Sequence, residues 1–233
     1  MGKNLIQQRR GKGTGRFRAK SFAGAGEASI KNKQSYTVLD LIHCPAHSAP
    51  LARVKYDDNT MGLIIAAEGV YVGKQYPMTA EAPIAYGNIL PLKAIPEGTP
   101  VFSIENKPGD GGKFVKASGG SAKLVARTDN AVTIKLPSKR TKAFHPECKA
   151  IIGIVAGGGR TEKPMLKAGK KHHASKARNK YYPIVSGSAM NAVAHPFGNK
   201  RSLRKSKAKP TSKNAPPGRK VGAIGAKRTG RKR

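Results

Sequence analysis

The chain has 233 residues, of which 45 are Lys or Arg and 12 are Asp or Glu, so its formal net charge is +33 at pH 7. A hydrophobic content of 38% can build a modest core, but not one that spans the whole length. So strong a positive charge favours nucleic acid as the partner, because a phosphate backbone neutralises cations that otherwise repel one another.

A membrane surface is the rival polyanion, and two features exclude it. No run approaches the roughly 20 apolar residues of a spanning helix, and the basic segments lack the apolar face of an interfacial helix. The sequence also has no secretory hydrophobic region, and Ile6 stands where N-myristoylation requires a hydroxyl. We therefore expect a cytosolic protein.

The charge is concentrated at the two ends of the chain. Residues 1–33 carry nine bases and one acid, residues 34–159 carry 14 bases and 10 acids, and residues 160–233 carry 22 bases and one acid. The middle has the composition of a globular protein, whereas the ends need a polyanion to hold a fixed shape. We predict a basic N-terminal arm over 1–33 and a basic C-terminal extension over 161–233.

The N-terminal arm interleaves bases with glycines. The glycines within residues 11–15 resemble a dinucleotide-binding fingerprint, but no strand precedes them and no helix of apolar period follows. A flexible arm that binds RNA is favoured instead, with Phe17 and Phe22 available for stacking on bases.

Short apolar runs begin at Tyr36 and predict strands over 36–42, 51–56, 62–67 and 69–72. Turn residues separate these runs at intervals of about 8 to 12 residues, which is typical of a small antiparallel barrel. Within 51–56, apolar side chains alternate with Arg53 and Lys55, so one face of this strand is expected to be buried and the other basic.

Residues 82–100 contain four prolines and two glycines and predict an irregular connector. A second set of runs then predicts strands over 101–105, 122–127, 131–136, 141–144 and 150–155, with hairpin turns at 128–130 and 137–140. Five short strands at this spacing indicate a second barrel, of SH3-like size.

A glycine-rich loop, residues 108–114, lies between the first two strands of the second set. It ends in Gly-Lys like a phosphate-binding loop, but the first Gly of that motif is absent and Phe114 stands where the motif requires Ser or Thr. Nucleotide binding is therefore not expected. We predict that the backbone of the loop approaches RNA phosphates, and a plain surface loop is the alternative.

Beyond Val155, residues 156–159 have side chains no larger than a methyl group, so the backbone there is free to lie against a partner. Residues 165–180 predict one short basic helix, whose apolar side chains are too small and sparse to anchor a core face. Its expected partner is phosphate.

Cys44 and Cys148 are far apart in sequence and form no Cys-x-x-Cys pair, so two reduced thiols are favoured over a disulfide or a metal site. His43, Cys44 and His47 have a spacing loosely suited to zinc. Pro45 intervenes, however, and no second ligand pair follows at zinc-site spacing, so we predict no metal site and no cofactor.

Several long motifs occur in an order typical of one family. They are residues 2–11 (Gly-Lys-Asn-Leu-Ile-Gln-Gln-Arg-Arg-Gly), 108–113, 153–160, 163–164, 167–169, 189–191, 195–198 (His-Pro-Phe-Gly) and 214–222. With these motifs the chain resembles, over nearly its whole length, the universal ribosomal protein two family of the large subunit, archaeal and eukaryotic type. The resemblance implies a mainly β protein in which an OB-like barrel (34–95) is followed by an SH3-like barrel (96–160), with long basic extensions at both ends.

The resemblance also implies a structural constituent of the large ribosomal subunit, located in the cytoplasm. Such a protein binds large-subunit rRNA through basic tails and Gly-rich loops, supports subunit assembly and association, and lies near the peptidyl-transferase region. Its implied partners are rRNA, neighbouring ribosomal proteins and the small subunit.

The rRNA contacts that the resemblance carries over are Lys3, Arg9, Arg10, Gly157, Gly158, Gly159, Arg160, Lys167, Lys170, His172, Asn191, His195, Arg219, Lys220, Lys227 and Arg228. Charge and position add Arg16, Arg18, Lys113, Lys176 and Arg178 as predicted contacts. The chain departs from the family at Ser186, at Ala194 and over 199–202, where a glycine run with further histidines is usual.

The two alternative functions are a nucleic-acid-condensing protein and an enzyme. A protein that merely condenses nucleic acid needs only charge, and would not need two barrels with ordered Gly and Pro motifs. An enzyme needs a base with a partner, and the family brings with it a suggested role for His195 in peptide-bond formation. Ala194, however, supplies no group that could orient or charge the imidazole, so we predict that His195 packs against RNA and that the chain is not an enzyme.

Overall fold

The computed structural model describes residues 2–18, 24–199 and 209–229. It divides into two compact units. We call residues 21–166 the core unit, and residues 1–20 together with 167–233 the basic unit. Phe22, which was expected to stack on RNA bases, lies outside the described residues.

The first sheet of the core unit is antiparallel and has four strands in the order β3-β2-β1-β4. The strands are β1 (Ser35–Ile42), β2 (Leu51–Tyr56), β3 (Met61–Ile65) and β4 (Gln75–Pro77). Along β2, Val54 is buried opposite Val38 of β1, whereas Arg53 and Lys55 are exposed. The predicted alternation of a buried and a basic face is therefore confirmed.

The strand predicted over 69–72 is wrong. Gly69 and Gly73 have φ angles of 78° and 86°, and the chain turns at 68–69 and again at 72–73. A positive φ is compatible with glycine but interrupts an extended strand. The fourth strand of the sheet, β4, follows the second turn and pairs with the first residues of β1.

The second sheet is also antiparallel and has six strands in the order β5-β10-β6-β7-β8-β9. The strands are β5 (Ile89–Pro91), β6 (Pro100–Phe102), β7 (Ala122–Arg127), β8 (Val132–Lys135), β9 (Thr141–Phe144) and β10 (Lys149–Ile152). All five predicted strands of the second set are present. The sixth, β5, lies within the predicted connector, where Ile89 and Leu90 are fully buried and pair with β10.

Two buried clusters share the strands between them. Ile89, Phe102 and Ile151 belong to the cluster that contains the side chains of the first sheet. Their neighbours Leu90 and Val101 belong to the cluster of the second sheet. Because successive side chains of a strand point to opposite faces, β5, β6 and β10 each contribute to both clusters. The predicted boundary between the two barrels, between residues 95 and 96, stays a prediction. Strand β5 precedes this boundary in the chain but belongs to the second sheet.

The basic unit contains two helices, α1 (Ile6–Gly11) and α2 (Ala168–Ala177), and a short parallel pair, β11 (Pro210–Thr211) with β12 (Ala223–Ile224). Helix α2 confirms the predicted short basic helix. Helix α1 was not predicted and lies within the predicted N-terminal arm. Among the described residues of this unit, only Leu5, Gly198 and Val221 are buried. None of the helices that the structure describes is long and apolar enough to cross a membrane.

Candidate nucleic-acid interface

The two units differ in the signs of the charges they carry. The basic unit holds 27 Lys and Arg residues and no Asp or Glu, whereas the core unit holds 18 Lys and Arg residues and all 12 acids. No carboxylate side chain within the basic unit can therefore neutralise its cations. Such a single-signed surface attracts a polyanion and repels other cations.

The N-terminal segment, which contains helix α1, is attached to the C-terminal part of the basic unit by hydrogen bonds to backbone carbonyl oxygens. The Lys3 N–H donates to the Val193 carbonyl oxygen at 2.8 Å, and the Gln7 side-chain amide donates to the Lys220 carbonyl oxygen at 2.6 Å. With the backbone held in this way, the predicted contacts Lys3, Arg9 and Arg10 keep exposed side chains.

Helix α2 and the N-terminal segment bring three predicted contacts together. Arg16, His172 and Lys176 line one cavity of about 310 Å³, with Tyr182 and Lys180 also in its wall. Such a grouping of cations around an aromatic ring suits a nucleotide, which offers both phosphate and a flat base.

Two aromatic residues that are not among the predicted contacts lie beside cations of this unit. The Arg16 guanidinium lies 5.0 Å from the ring centroid of Tyr181, and the Lys171 ammonium lies 5.3 Å from that of Tyr182. Both distances are within the range of a cation–π interaction. Two adjacent tyrosines within a basic extension are the sequence signal that marks this site.

His195 packs inside its own segment. A Cβ atom placed on Gly187 would lie only 2.4 Å from Cε1 of His195, so the ring occupies the space that a side chain at position 187 would need. The ring centroids of His195 and Phe197 are 5.2 Å apart. The Phe197 N–H donates to His195 Nδ1 at 3.0 Å.

This packing has an electrostatic consequence. Burial disfavours the charged imidazolium and lowers the pKa of His195 below its usual value. Because Nδ1 accepts a hydrogen bond, the proton of the neutral ring is on Nε2, which leaves one N–H donor for a partner.

The remaining predicted contacts of the basic unit lie along its exposed segments. Asn191 is exposed, and its carbonyl oxygen accepts the N–H groups of Ala194 and His195. Lys220 is half-buried, and its carbonyl oxygen accepts a hydrogen bond from the Gln7 side-chain amide. The exposed members of this group are Arg18, Lys167, Lys170, Arg219, Lys227 and Arg228, and Arg178 is half-buried.

The glycine-rich loop of the core unit uses its N–H groups internally. The Glu105 carboxylate, which is only 2% exposed, accepts from Gly109, Gly111 and Lys149 at 2.8 to 3.2 Å. The Asp110 carboxylate accepts from the N–H groups of Asn106, Lys107 and Gly112 at 3.0 to 3.2 Å.

These bonds remove the basis for the predicted backbone approach to phosphates at this loop. Two of the chain's own carboxylates occupy the positions where an anion would bind, and they repel a further one. The loop therefore matches the alternative, a plain surface loop. The side chain of Lys113 is exposed and stays a predicted contact.

Residues 157–160 pack partly against the protein. A Cβ atom on Gly119 would lie 2.6 Å from the Cα atom of Gly158, so two backbones meet there without side chains. Arg160 Nε donates to the Ser118 hydroxyl at 2.6 Å. Gly159 has open space where a side chain would be, so this position is free to face a partner.

The histidines and cysteines form no metal centre among the described residues, which contain no group of three or more His, Cys, Asp or Glu suited to a metal ion. Cys44 and Cys148 are both buried and carry free thiols. His47 Nδ1 lies 3.1 Å from Cys44 Sγ.

Two family descriptions match the chain in tandem. "Ribosomal Proteins L2, RNA binding N-terminal domain" matches residues 2–76, and "Ribosomal Proteins L2, C-terminal domain" matches residues 85–215. The chain belongs to the L2 family of ribosomal proteins.

Archaeal relatives of the L2 family cover the chain from end to end. The large ribosomal subunit protein uL2 of Haloquadratum walsbyi is 51% identical over 99% of this chain and 97% of its own length. The uL2 proteins of Haloarcula marismortui (50% identical, 99% of this chain and 98% of the relative) and Methanothermobacter thermautotrophicus (46% identical, 100% of both) are similar.

Membership of the L2 family confirms several predictions. The fold is mainly β, an OB-like barrel followed by an SH3-like barrel with basic extensions. The chain is a large-subunit ribosomal protein with an RNA-binding N-terminal domain, and its location is the ribosome in the cytoplasm. The predicted contact residues stay predictions.

Proposed function

We propose that this L2-family protein is a structural constituent of the large subunit that binds large-subunit rRNA chiefly through its basic unit. In this role it supports subunit assembly, association with the small subunit and the architecture around the peptidyl-transferase region. Its partners are rRNA, neighbouring ribosomal proteins and the small subunit.

The observation that carries this proposal is the absence of any acid from the basic unit, alongside 27 Lys and Arg residues. Most of the described cations there are exposed, and aromatic rings stand among them. Phosphate neutralisation and base stacking are the two interactions that these groups can supply. In the core unit, Lys113, Gly159 and Arg160 are further proposed contacts.

We assign His195 a packing role and no role in catalysis. A general base needs a partner that tunes its pKa, and the basic unit contains no carboxylate side chain that could do so. One ring nitrogen is already used by the backbone of Phe197. Replacing His195 with alanine should therefore impair local RNA packing and subunit assembly more than peptide transfer in particles that assemble.

The test is binding of the full chain to a large-subunit rRNA fragment over a salt series. Each neutralised phosphate contributes about 0.7 to 0.9 to the slope of log K against log salt. Removing residues 199–233, which hold 14 bases, should flatten that slope markedly. An unchanged slope would mean that the barrels carry the electrostatic interaction.

A further inference from the structure

A second and larger cavity, of about 640 Å³, lies within the basic unit. This volume falls within the range of about 300 to 1,000 Å³ that is usual for ligand pockets. Leu5, Ile6, Met190 and Ala194 form its covered, apolar part, and none of the four is exposed.

The exposed part of the same cavity carries cations and two large aliphatic side chains. Lys3, Arg9, Arg10 and Lys12 supply the charge. Ile184 is 76% exposed and Val185 50% exposed, so both present apolar surface to water. The cavity thus needs an occupant that is flat or apolar in one part and anionic in another.

Charge complementarity selects among the possible occupants. An apolar segment of another protein would meet four cations without any carboxylate of the basic unit to offset them. The phosphates of an RNA duplex would neutralise the cations. Its bases are stacked and paired, however, so they would offer no apolar face to the aliphatic side chains. A single unpaired nucleotide satisfies both, because every base has an apolar face and is linked to phosphates.

We propose that this cavity receives one extruded nucleotide of the large-subunit rRNA. This inference rests on the proposed function and adds to it a mode of RNA recognition. The base lies against the apolar lining near Met190 and Ile184. Its phosphates meet Arg9 and Arg10. His195 also lines the cavity, and its Nε2–H is available to an acceptor on the edge of the base.

The probe is an RNA hairpin in three forms, one fully paired, one with a single bulged 2-aminopurine and one with an abasic residue at the bulge. The abasic form keeps the flexibility of the bulge but lacks the base. We expect the full chain to bind the bulged form at least about fivefold more tightly than the other two, the lower end of what one stacked base contributes. The fluorescence of the bulged 2-aminopurine should change on binding.

Two variants test the residues. The double change Ile184→Ser with Val185→Ser should remove the preference for the base and leave binding to the paired hairpin unchanged. Ile224→Ser is the matched control, since Ile224 belongs to the same unit, is 47% exposed and does not line the cavity. It should change neither quantity.

The outcomes separate this inference from the proposed function. Salt-dependent binding of all three hairpins with equal affinity would overturn the base site and leave rRNA binding intact. Failure to bind any of them would count against both. If the double variant kept its preference for the base but was lost from assembled subunits, the cavity would belong to a neighbouring protein, and the proposal would be wrong.

Discussion

The core unit and the basic unit hold their shapes by different means. In the core unit, side chains from two sheets form two buried clusters, and all 12 acids of the chain are present to offset the bases. In the basic unit, only three described residues are buried, and the contacts that order it are largely hydrogen bonds between backbone segments. Exclusion of water therefore stabilises the core unit, whereas the basic unit carries unbalanced cations, which favour a polyanion as its partner.

The largest expected effect is on the core. Phe102 is fully buried in the cluster that joins the two sheets, so Phe102→Ala should lower the free energy of unfolding by about 3 to 5 kcal/mol. Phe197→Ala, in the basic unit, is the matched control and should leave unfolding of the core unit nearly unchanged. Urea unfolding of the free protein, followed by circular dichroism, measures both. Equal losses would show that the two units are stabilised alike.

A smaller effect is expected at the buried carboxylate of the core unit. Glu105→Gln replaces an acceptor of three backbone N–H groups with an amide, and should lower the free energy of unfolding by about 1 to 3 kcal/mol. Glu27→Gln is the control, because the Glu27 carboxylate is exposed and its ion pair with Lys113 is long, at 3.9 Å. This substitution should change the free energy of unfolding by less than about 0.5 kcal/mol. If the two variants were equally stable, the carboxylate would not be what orders the loop.

The smallest expected effect is the response of His195 to pH. Burial lowers the pKa of His195, so the unfolded chain binds the proton more readily than the folded chain. The stabilisation from packing the neutral ring is therefore fully present above about pH 6.5, the usual pKa of histidine. It is lost as the pH falls through the lower pKa of the folded state. A titration of the ring by NMR should give a midpoint below that of the same histidine in urea. A midpoint at or above the urea value would contradict the packing described for Gly187 and Phe197.

The sequence predicted the core unit well where the pattern of side chains was long enough. Strands 51–56, 122–127 and 141–144 match in their bounds, because alternation or a run of β-formers extends over four or more residues. Strand β5 was missed because Ile89 and Leu90 stand between Gly87 and Pro91, and two apolar residues have no period. Only the pairing with β10 identifies it as a strand.

The interface was predicted less completely, for a physical reason. Charge predicts which segments are candidates for RNA contact, but it does not predict which backbone N–H groups remain available, since that depends on contacts distant in sequence. Glu105 and Asp110 occupy the N–H groups of the glycine-rich loop, and neither carboxylate was recognised as their acceptor. Helix α1 was not predicted, because the hydrogen bonds that hold the N-terminal segment, to Val193 and Lys220, come from the other end of the chain.

The most direct test compares matched losses of charge in the two units. One variant carries Arg9→Gln, Arg10→Gln and Lys12→Gln in the basic unit. The other carries Lys135→Gln, Lys139→Gln and Arg140→Gln, three exposed bases of the core unit that are not predicted contacts. Both lower the net charge by the same amount.

The measurement is the slope of log K against log salt for binding of each full-length variant to the same rRNA fragment. If the basic unit carries the phosphate contacts, its variant should lose about 2 to 3 from the slope, and the core-unit variant should lose less than about 1. Equal losses would show that net charge alone governs binding, and would contradict the division of roles between the two units.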